Sequence, residues 1–131
     1  MSAIMTPLVI DSSALLAFIN DEPGGEQVAP LLGTVHISAV NAAEVVDVLR
    51  RNKVPAATAR DIVLNFVRTI APFETEDAWA VAALREKTAK HGLSLADKAC
   101  LALAQRLKCP VVTADRVWAN INVGVKVRLV R

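Results

Sequence analysis

Short apolar segments alternate with segments of helical spacing along the whole chain, and this alternation constrains the fold more than any other feature. Apolar or β-branched runs predict strands at 7–11, 34–39, 69–73, 109–114 and about 125–130. Strands that are joined by helices run parallel in one sheet, with helices covering both of its faces. With 131 residues, the chain is long enough to bury one core. We therefore predict a single α/β domain over residues 1–131 with a mainly parallel sheet.

Apolar residues at helical spacing predict helices at 13–20, 25–32, 42–53, 55–68, 75–91, 95–107 and 116–121. Pro55 suits the first position of a helix, and Gly92 suits the end of the helix that precedes it. Pro72 favours an edge position for the third strand, or the end of that strand, because proline cannot donate a hydrogen bond to a neighbouring strand.

No apolar run reaches the ~18–20 residues that span a membrane. The N-terminal sequence MSAIMTPLVID also lacks the charged start and the cleavage site of a signal peptide. We therefore expect a soluble, cytoplasmic protein. The two cysteines, Cys100 and Cys109, have no CxxC or CxxH neighbourhood, so they are predicted to be buried thiols rather than zinc ligands.

The net charge is only +2, but it is distributed unevenly. Residues 1–65 carry four Lys/Arg and seven Asp/Glu, a net charge of −3, whereas residues 66–131 carry eleven and six, a net charge of +5. The basic half is compatible with a polyanionic ligand and equally compatible with ordinary solvated helix faces. Charge alone therefore does not decide the class of partner.

Four carboxylates stand where predicted strands end and predicted helices begin. Asp11 ends the first strand and Asp115 follows the fourth, while Glu44 and Asp97 lie in the first turns of helices. In a parallel α/β sheet the helices run antiparallel to the strands, so helix N-termini and strand C-termini share one edge. Ligands of such sheets bind at this edge. We therefore expect the four acids to lie together there.

Clustered carboxylates raise one another's pKa, and a divalent cation relieves their repulsion. Hard oxygen ligands suit Mg²⁺ or Mn²⁺, which can activate a water molecule and neutralise the charge that builds on a phosphodiester. His36 and His91 have no partner at ligand spacing and are predicted to be structural. The acids thus favour a magnesium or manganese site.

Helix capping is the competing interpretation of the same residues. Asn41-x-x-Glu44 and Ser94-x-x-Asp97 both have the form of a capping box. Asp115 would be a good N-cap, and the helix dipole favours acids in any first turn. The sequence leaves both interpretations open.

The acids stand in four segments that resemble the motifs of the PIN-domain family: VIDSSALLAFINDEPG, ISAVNAAEVVDVLRR, LSLADKACLALAQRL and VVTADRVWANI. The family's acidic and hydroxyl positions fall on Asp11, Ser13, Glu44, Asp97, Thr113 and Asp115. Their order and spacing span residues 8–119, nearly the whole chain. The length and the short loops are most similar to those of the VapC toxins within the family.

The resemblance implies a three-layer α/β/α sandwich around a parallel sheet of about five strands. It implies Mg²⁺- or Mn²⁺-dependent cleavage of RNA, with the four acids as catalytic residues and metal ligands. It also implies a homodimer that is held inactive by a small antitoxin, which inserts a segment near the acidic cleft. Many relatives carry a further acid where this chain has Val117, which puts a second strongly bound metal in doubt.

Neighbouring residues have supporting roles in this hypothesis. Ser13 and Thr113 would orient a carboxylate or a water molecule, or else satisfy the local backbone. Lys98 and Arg116 directly follow two of the acids and would contact RNA phosphates, or else form ordinary surface charge.

Other classes of protein on a similar scaffold fit less well. A haloacid-dehalogenase type of phosphotransferase needs DxD after the first strand, and this chain has Asp11-Ser12-Ser13. A receiver domain needs a phospho-accepting aspartate after the third strand, which ends here at Phe73 and Glu74. Nucleotide-binding loops of the form GxxxxGK[ST] or GxGxxG do not occur. The remaining alternative is a PIN-like module that binds RNA or a protein without cutting.

Apolar helix faces in the 42–91 region are expected to mediate self-association, since a small chain that is 53% hydrophobic has apolar surface to spare. Val63, Phe66, Val67 and Trp79 are the candidates for this surface, although core packing would use the same residues. Trp79 and Trp118 are both predicted to be packing residues.

Overall fold

A parallel sheet forms the centre of the computed structural model, which describes residues 7–131. Residues 1–6, on which part of the signal-peptide expectation rests, lie outside the described residues. The strands are β1 (Leu8–Ile10), β2 (Val35–Ser38), β3 (Thr69–Ala71), β4 (Val111–Thr113) and β5 (Val127–Leu129), in the spatial order β3-β2-β1-β4-β5. All four pairings are parallel, which confirms the predicted sheet, and β3 is an edge strand as Pro72 indicated.

Seven α-helices connect these strands in the part of the chain from residue 7 onwards. They are α1 (Ser12–Ile19), α2 (Gly25–Val28), α3 (Ala39–Arg51), α4 (Ala56–Phe66), α5 (Thr75–Ala83), α6 (Arg85–Thr88) and α7 (Leu95–Leu107). Short 3-10 turns occupy Ala29–Leu31, Ala89–His91 and Arg116–Asn120.

The side chains of the strands alternate between two cores, one on each face of the sheet. Ile10, Ile37 and Val112 belong to the core that is shared with α1 to α4. Val9 and Val111 belong to the core that is shared with α5, α7 and the last 3-10 turn. The molecule is therefore the predicted α/β/α sandwich.

The order of the strands reverses next to β1. The chain runs from β1 outward to β2 and β3, and then crosses to β4 and β5 on the other side of β1. The carboxyl ends of β1 and β4 therefore border a crevice, the position at which open α/β sheets bind ligands. Asp11 follows β1 directly, and Asp115 lies two residues beyond the end of β4.

Helix α3 begins three residues before the predicted start at residue 42. The Ser38 hydroxyl caps it by accepting a hydrogen bond from the backbone N–H of Val40 at 3.2 Å. The predicted capping box of Asn41 and Glu44 is therefore wrong, because Asn41 lies inside the helix. Glu44 consequently lies in the second turn rather than in the first.

The predicted helix 75–91 is divided into α5, α6 and a 3-10 turn. Leu84 separates the two helices with ψ near −10°, and its side chain is buried in the core with that of Val81. The continuous helical pattern of the sequence did not predict this interruption. Gly92 ends the segment in the left-handed conformation, with φ of 63°, as predicted.

Two further helix ends differ from the prediction. Pro55 precedes the first residue of α4 and forms its N-cap. The helix predicted at 25–32 is the short α2 followed by a 3-10 turn that contains Pro30, whose missing N–H cannot continue an α-helix.

Burial confirms some of the packing predictions and corrects one. Cys100 and Cys109 are buried free thiols, and Trp118 is completely buried. Trp79 is 65% exposed, so its predicted role in packing is wrong, because this position of α5 faces solvent. In residues 7–131, no helix combines the length and apolar character that crossing a membrane requires.

Candidate active site

All four sequence-predicted acids line one cleft at the carboxyl ends of β1 and β4. The cleft has a volume of about 240 Å³, and its lining residues are Asp11, Ser12, Ser13, Leu16, Glu44, Val48, Arg51, Asp97 and Asp115. Helix N-termini and strand ends thus meet at this edge as the topology argument required. Whether these acids are catalytic stays a prediction at this point.

Asp11 is the most enclosed of the four, with 3% of its surface exposed. Its Oδ1 accepts hydrogen bonds from the backbone N–H of Ala14 at 2.9 Å and from the Ser13 hydroxyl at 2.8 Å. Its Oδ2 accepts from Thr113 Oγ1 at 2.5 Å and from Ser13 Oγ at 2.9 Å. Burial raises the pKa of Asp11 to about 6, although these hydrogen bonds lower it. The Asp97 charge also raises this pKa.

The hydroxyls of Ser13 and Thr113 connect the ends of β1 and β4. They lie 3.3 Å apart, and both contact the Asp11 carboxylate. Ser13 Oγ also accepts from the backbone N–H of Ala114, and Thr113 Oγ1 accepts from that of Asp115, each at 3.0 Å. Each hydroxyl thus contacts both the Asp11 carboxylate and a backbone N–H, and the supporting role of the two residues stays a prediction.

Asp97 combines a helix cap with a place in the cleft. Its Oδ2 accepts from the backbone N–H of Ser94 at 2.9 Å, and Ser94 Oγ accepts from the N–H of Asp97 at 3.1 Å, which confirms the predicted capping box of α7. The cap uses only Oδ2, so capping leaves Oδ1 for a further ligand. The capping and ligand interpretations are therefore compatible for this residue.

The acids form one electrostatic cluster around Asp97. Burial is the main cause that raises the pKa of Asp97, and the charges of Asp115 and Glu44 raise it further. Asp115 also caps the last 3-10 turn through a hydrogen bond from the N–H of Val117 at 3.0 Å. Within residues 7–131, the ion pairs of Lys and Arg involve Asp47, Asp77 and Glu22 and none of the four cleft acids. The four cleft acids thus lack ion-pair partners of their own, although Arg51 also lines the cleft.

The donor set fits a hydrated divalent cation rather than a closed metal cage. In the described part of the chain, no three His, Cys, Asp or Glu side chains lie close enough together to hold an ion directly. Mg²⁺ commonly keeps several of its waters and binds proteins through one or two carboxylates. The oxygen donors of this cleft match that mode. Val117, 40% exposed, adds no donor at the position where the resemblance implied a further acid.

Arg51 is a cleft residue that sequence reasoning missed, because only Lys98 and Arg116 were predicted to contact RNA. Arg51 lies seven residues after Glu44, which brings both to the same face of α3, and that spacing was the available signal. Its Nε lies 3.4 Å from Asp47 Oδ2. Lys98 and Arg116 do not line the cleft, and their contact with RNA stays a prediction.

The chain is similar to one protein family in sequence and to several solved structures in fold. The sequence profile of the family described as PIN domain matches residues 8–124. No curated protein matches the chain significantly in sequence.

Solved structures match the fold over nearly the whole chain. VapBC2 from Rickettsia felis, bound to a promoter DNA fragment, matches with a TM-score of 0.70 and 17% identity, covering 94% of this chain and 98% of the other. DNA-bound VapBC from Salmonella typhimurium matches with a TM-score of 0.69 and 18% identity, covering 97% and 100%. VapC20 from Mycobacterium tuberculosis, described as a sarcin-ricin loop cleaving toxin, matches with a TM-score of 0.67 and 14% identity, covering 90% and 98%. At these identities the likeness concerns the fold.

Proposed function

The chain belongs to the PIN domain family, and from this premise we propose that it is a metal-dependent endoribonuclease that acts as the toxin of a toxin–antitoxin pair. The observation that carries the proposal is the acidic cleft: four carboxylates line it, and in residues 7–131 none of them is paired with a Lys or Arg. An unpaired acidic cluster at the switch point of a parallel sheet is expected to bind a cation.

The four acids have different roles in this proposal. A bound Mg²⁺ or Mn²⁺ supplies an activated water molecule and offsets the charge that develops on the phosphodiester. Glu44, Asp97 and Asp115, which are less buried than Asp11, would hold the hydrated ion from the open side of the cleft. Asp11 would contribute the buried charge, fixed in orientation by the two hydroxyls that contact it.

RNA is the proposed substrate, and its phosphates need cationic partners beyond the acidic cluster. Arg51 is the cation among the cleft-lining residues and would contact a phosphate that enters the cleft. Lys98 and Arg116 would contact the strand on either side. The similar fold of VapC20, which is described as cleaving the sarcin-ricin loop, supports RNA as the substrate class.

An antitoxin is the proposed partner, and a groove between α3 and α4 would receive part of it. This groove has a volume of about 800 Å³, and its lining residues are Ala42, Ala43, Val46, Asp47, Arg50, Ala56, Ala57, Arg60, Val63 and Ile70. Apolar side chains of a helix or an extended segment fit such a surface, and the two arginines suit acidic residues at its border. We further propose a homodimer and a cytoplasmic location, where RNA and antitoxin are both available.

Cleavage of a single-stranded RNA in Mg²⁺ or Mn²⁺, compared with chelator, tests the proposal. Asp11→Asn should abolish cleavage, because the cluster loses a charge while the side chain keeps its shape. If Asp11 only capped α1, asparagine would replace it well. Glu86→Gln, an exposed acid of α6, is the matched control and should cleave like the wild type. Wild-type rates in Asp11→Asn at saturating metal would contradict the proposed mechanism. An absence of metal-dependent cleavage by the wild type would instead favour the alternative of a binding module without cleavage.

A further inference from the structure

The side chain of Asn41 is buried where three helices meet, with 1% of its surface exposed. Its Nδ2 donates hydrogen bonds to Ser12 Oγ and to the backbone oxygen of Ala96, both at 3.2 Å. The Ser12 hydroxyl in turn donates to the backbone oxygen of Asn41 at 3.3 Å. One amide thus connects the first turns of α1 and α7 to α3.

These three attachment points adjoin three of the cleft acids. Ser12 directly follows Asp11, Ala96 directly precedes Asp97, and Asn41 lies three residues before Glu44 on the same helix. We propose that Asn41 is a positioning residue that fixes the spacing of Asp11, Glu44 and Asp97. The inference rests on the proposed function, since the spacing matters only if the cluster binds a cation.

A neutral amide suits this task better than a charged side chain. A charged side chain would be buried here against a hydroxyl and a backbone oxygen, without an ion-pair partner, and its desolvation would destabilise the fold. The two protons of Nδ2 match two acceptors that belong to different helices. The reverse orientation of the amide would set Oδ1 against the carbonyl oxygen of Ala96, so the contacts determine the orientation that we describe.

Burying Asn41 also lowers the stability of the fold, whereas an apolar residue used only for packing would not. Its Oδ1 is buried and has no hydrogen-bond donor among residues 7–131. A buried acceptor without a donor destabilises the fold relative to an apolar group of the same shape. Leucine has the same branched heavy-atom skeleton and avoids this penalty, so the donor function of Nδ2 accounts for the amide.

Asn41→Leu tests the proposal, with Val35→Ala as the matched control. Val35 is completely buried at the opposite end of β2, so its truncation weakens the core far from the acids. We expect the Mn²⁺ concentration that gives half of the thermal stabilisation to rise about tenfold in Asn41→Leu. We expect kcat for RNA cleavage to fall by a similar factor with KM unchanged. Val35→Ala should lower the unfolding temperature and leave both quantities at wild-type values.

Hydrogen exchange measured without metal tests the hydrogen bonds of Asn41 independently of the proposed function. The amides of Ala14 and Lys98, in the first turns of α1 and α7, should exchange faster in Asn41→Leu than global destabilisation explains. Val35→Ala should affect all core amides alike. If the wild type neither responds to Mn²⁺ nor cleaves RNA, the proposed function fails. Hydrogen exchange alone then shows whether Asn41 holds α1 and α7 to α3. Equal effects of the two variants on Mn²⁺ response and exchange would overturn the proposal.

If Asn41→Leu does not fold, Asn41→Ser replaces it in the comparison with Val35→Ala. Serine keeps one donor, so we expect a smaller change in the Mn²⁺ response and in the exchange rates.

Discussion

Helix α3 borders two cavities of opposite character. Glu44, Val48 and Arg51 face the acidic cleft of about 240 Å³. Neighbouring positions of the same helix, among them Val46 and Arg50, face the apolar groove of about 800 Å³. Residues adjacent in sequence thus serve different surfaces, because successive side chains point in different directions around a helix.

The difference shows that the size of a cavity and its chemistry are separate guides to function. The larger cavity is apolar and would be the default choice for a ligand site. Its chemistry, however, suits a protein segment, whereas the smaller cleft holds the clustered carboxylates and the raised pKa values of Asp11 and Asp97. Perturbed ionisable groups in a cleft are the better indicator of catalysis.

The largest expected effect separates catalysis from partner binding. Asp97→Asn should reduce RNA cleavage on the order of 10³-fold, or about 4 kcal/mol in the activation free energy, because the cation loses a charged ligand. Asparagine can still accept the hydrogen bond from the N–H of Ser94, so α7 should stay capped. Antitoxin affinity should change much less in the same preparation, because the groove is proposed to receive part of the antitoxin. If Asp97→Asn lost both RNA cleavage and antitoxin binding, the cleft and the groove would not function separately.

The acidic cleft should also give the metal-free protein an unusual dependence on pH. The folded-state pKa of Asp11, about 6, lies above its ordinary value of 3.8, so the folded protein binds this proton more tightly than the unfolded chain does. Protonation of Asp11 therefore adds about 3 kcal/mol to the free energy of unfolding. This contribution is complete below about pH 4 and is lost as the pH rises through 6. Asp97, whose pKa is also raised, acts in the same direction.

Urea unfolding in chelator at several pH values between 4 and 7 measures this effect. Asp11→Asn should flatten the profile, whereas Glu86→Gln, which changes an exposed acid of α6, should keep the wild-type profile. His36 opposes the trend below its ordinary pKa, because burial and Arg68 lower its folded-state pKa, and this contribution is common to all variants. Identical profiles for wild type and Asp11→Asn would contradict the assignment.

The groove can be changed without altering the cleft. Ala57 is exposed on α4 and lines the groove, so Ala57→Glu places a charge there without disturbing the core. Antitoxin affinity should fall about 30-fold, roughly 2 kcal/mol, because a carboxylate is desolvated against an apolar partner. RNA cleavage by the free protein should be unaffected. Undiminished binding, measured by titration calorimetry, would exclude the groove as the docking surface.

The smallest effect concerns two adjacent arginines. Arg51→Gln should raise KM for RNA about tenfold, and it should reduce the dependence of RNA affinity on salt by about one phosphate contact. Arg50→Gln, on the groove side of the same helix, should leave RNA binding unchanged and weaken antitoxin binding instead. The cleavage-deficient Asp11→Asn background allows RNA affinity to be measured without turnover. Equal effects of both substitutions on the salt dependence would show that neither arginine is specific to the cleft.

Much of the site could be predicted because it depends on local order along the chain. Asp11 and Asp115 follow strands, and Asp97 begins a helix, so the topology of a parallel sheet was enough to bring them to one edge. Glu44 was found at the right edge but in the wrong turn, since sequence could not show that Ser38 rather than Asn41 caps α3. Trp79 was misassigned because an apolar side chain does not reveal whether its helix face meets the core or solvent.

The sequence by itself determined the alternation of strands and helices, the parallel sheet and the identity of the acids. These features depend on residues that are close together in the chain and on the order of the elements. Only the tertiary structure decided that Arg51 faces the cleft while Arg50 faces the groove, and that Asn41 joins Ser12 to Ala96. These contacts link residues 29 and 55 positions apart. They depend on how α3 packs against α1, α4 and α7, and helical spacing fixes the faces of a helix without stating which neighbour each face will meet.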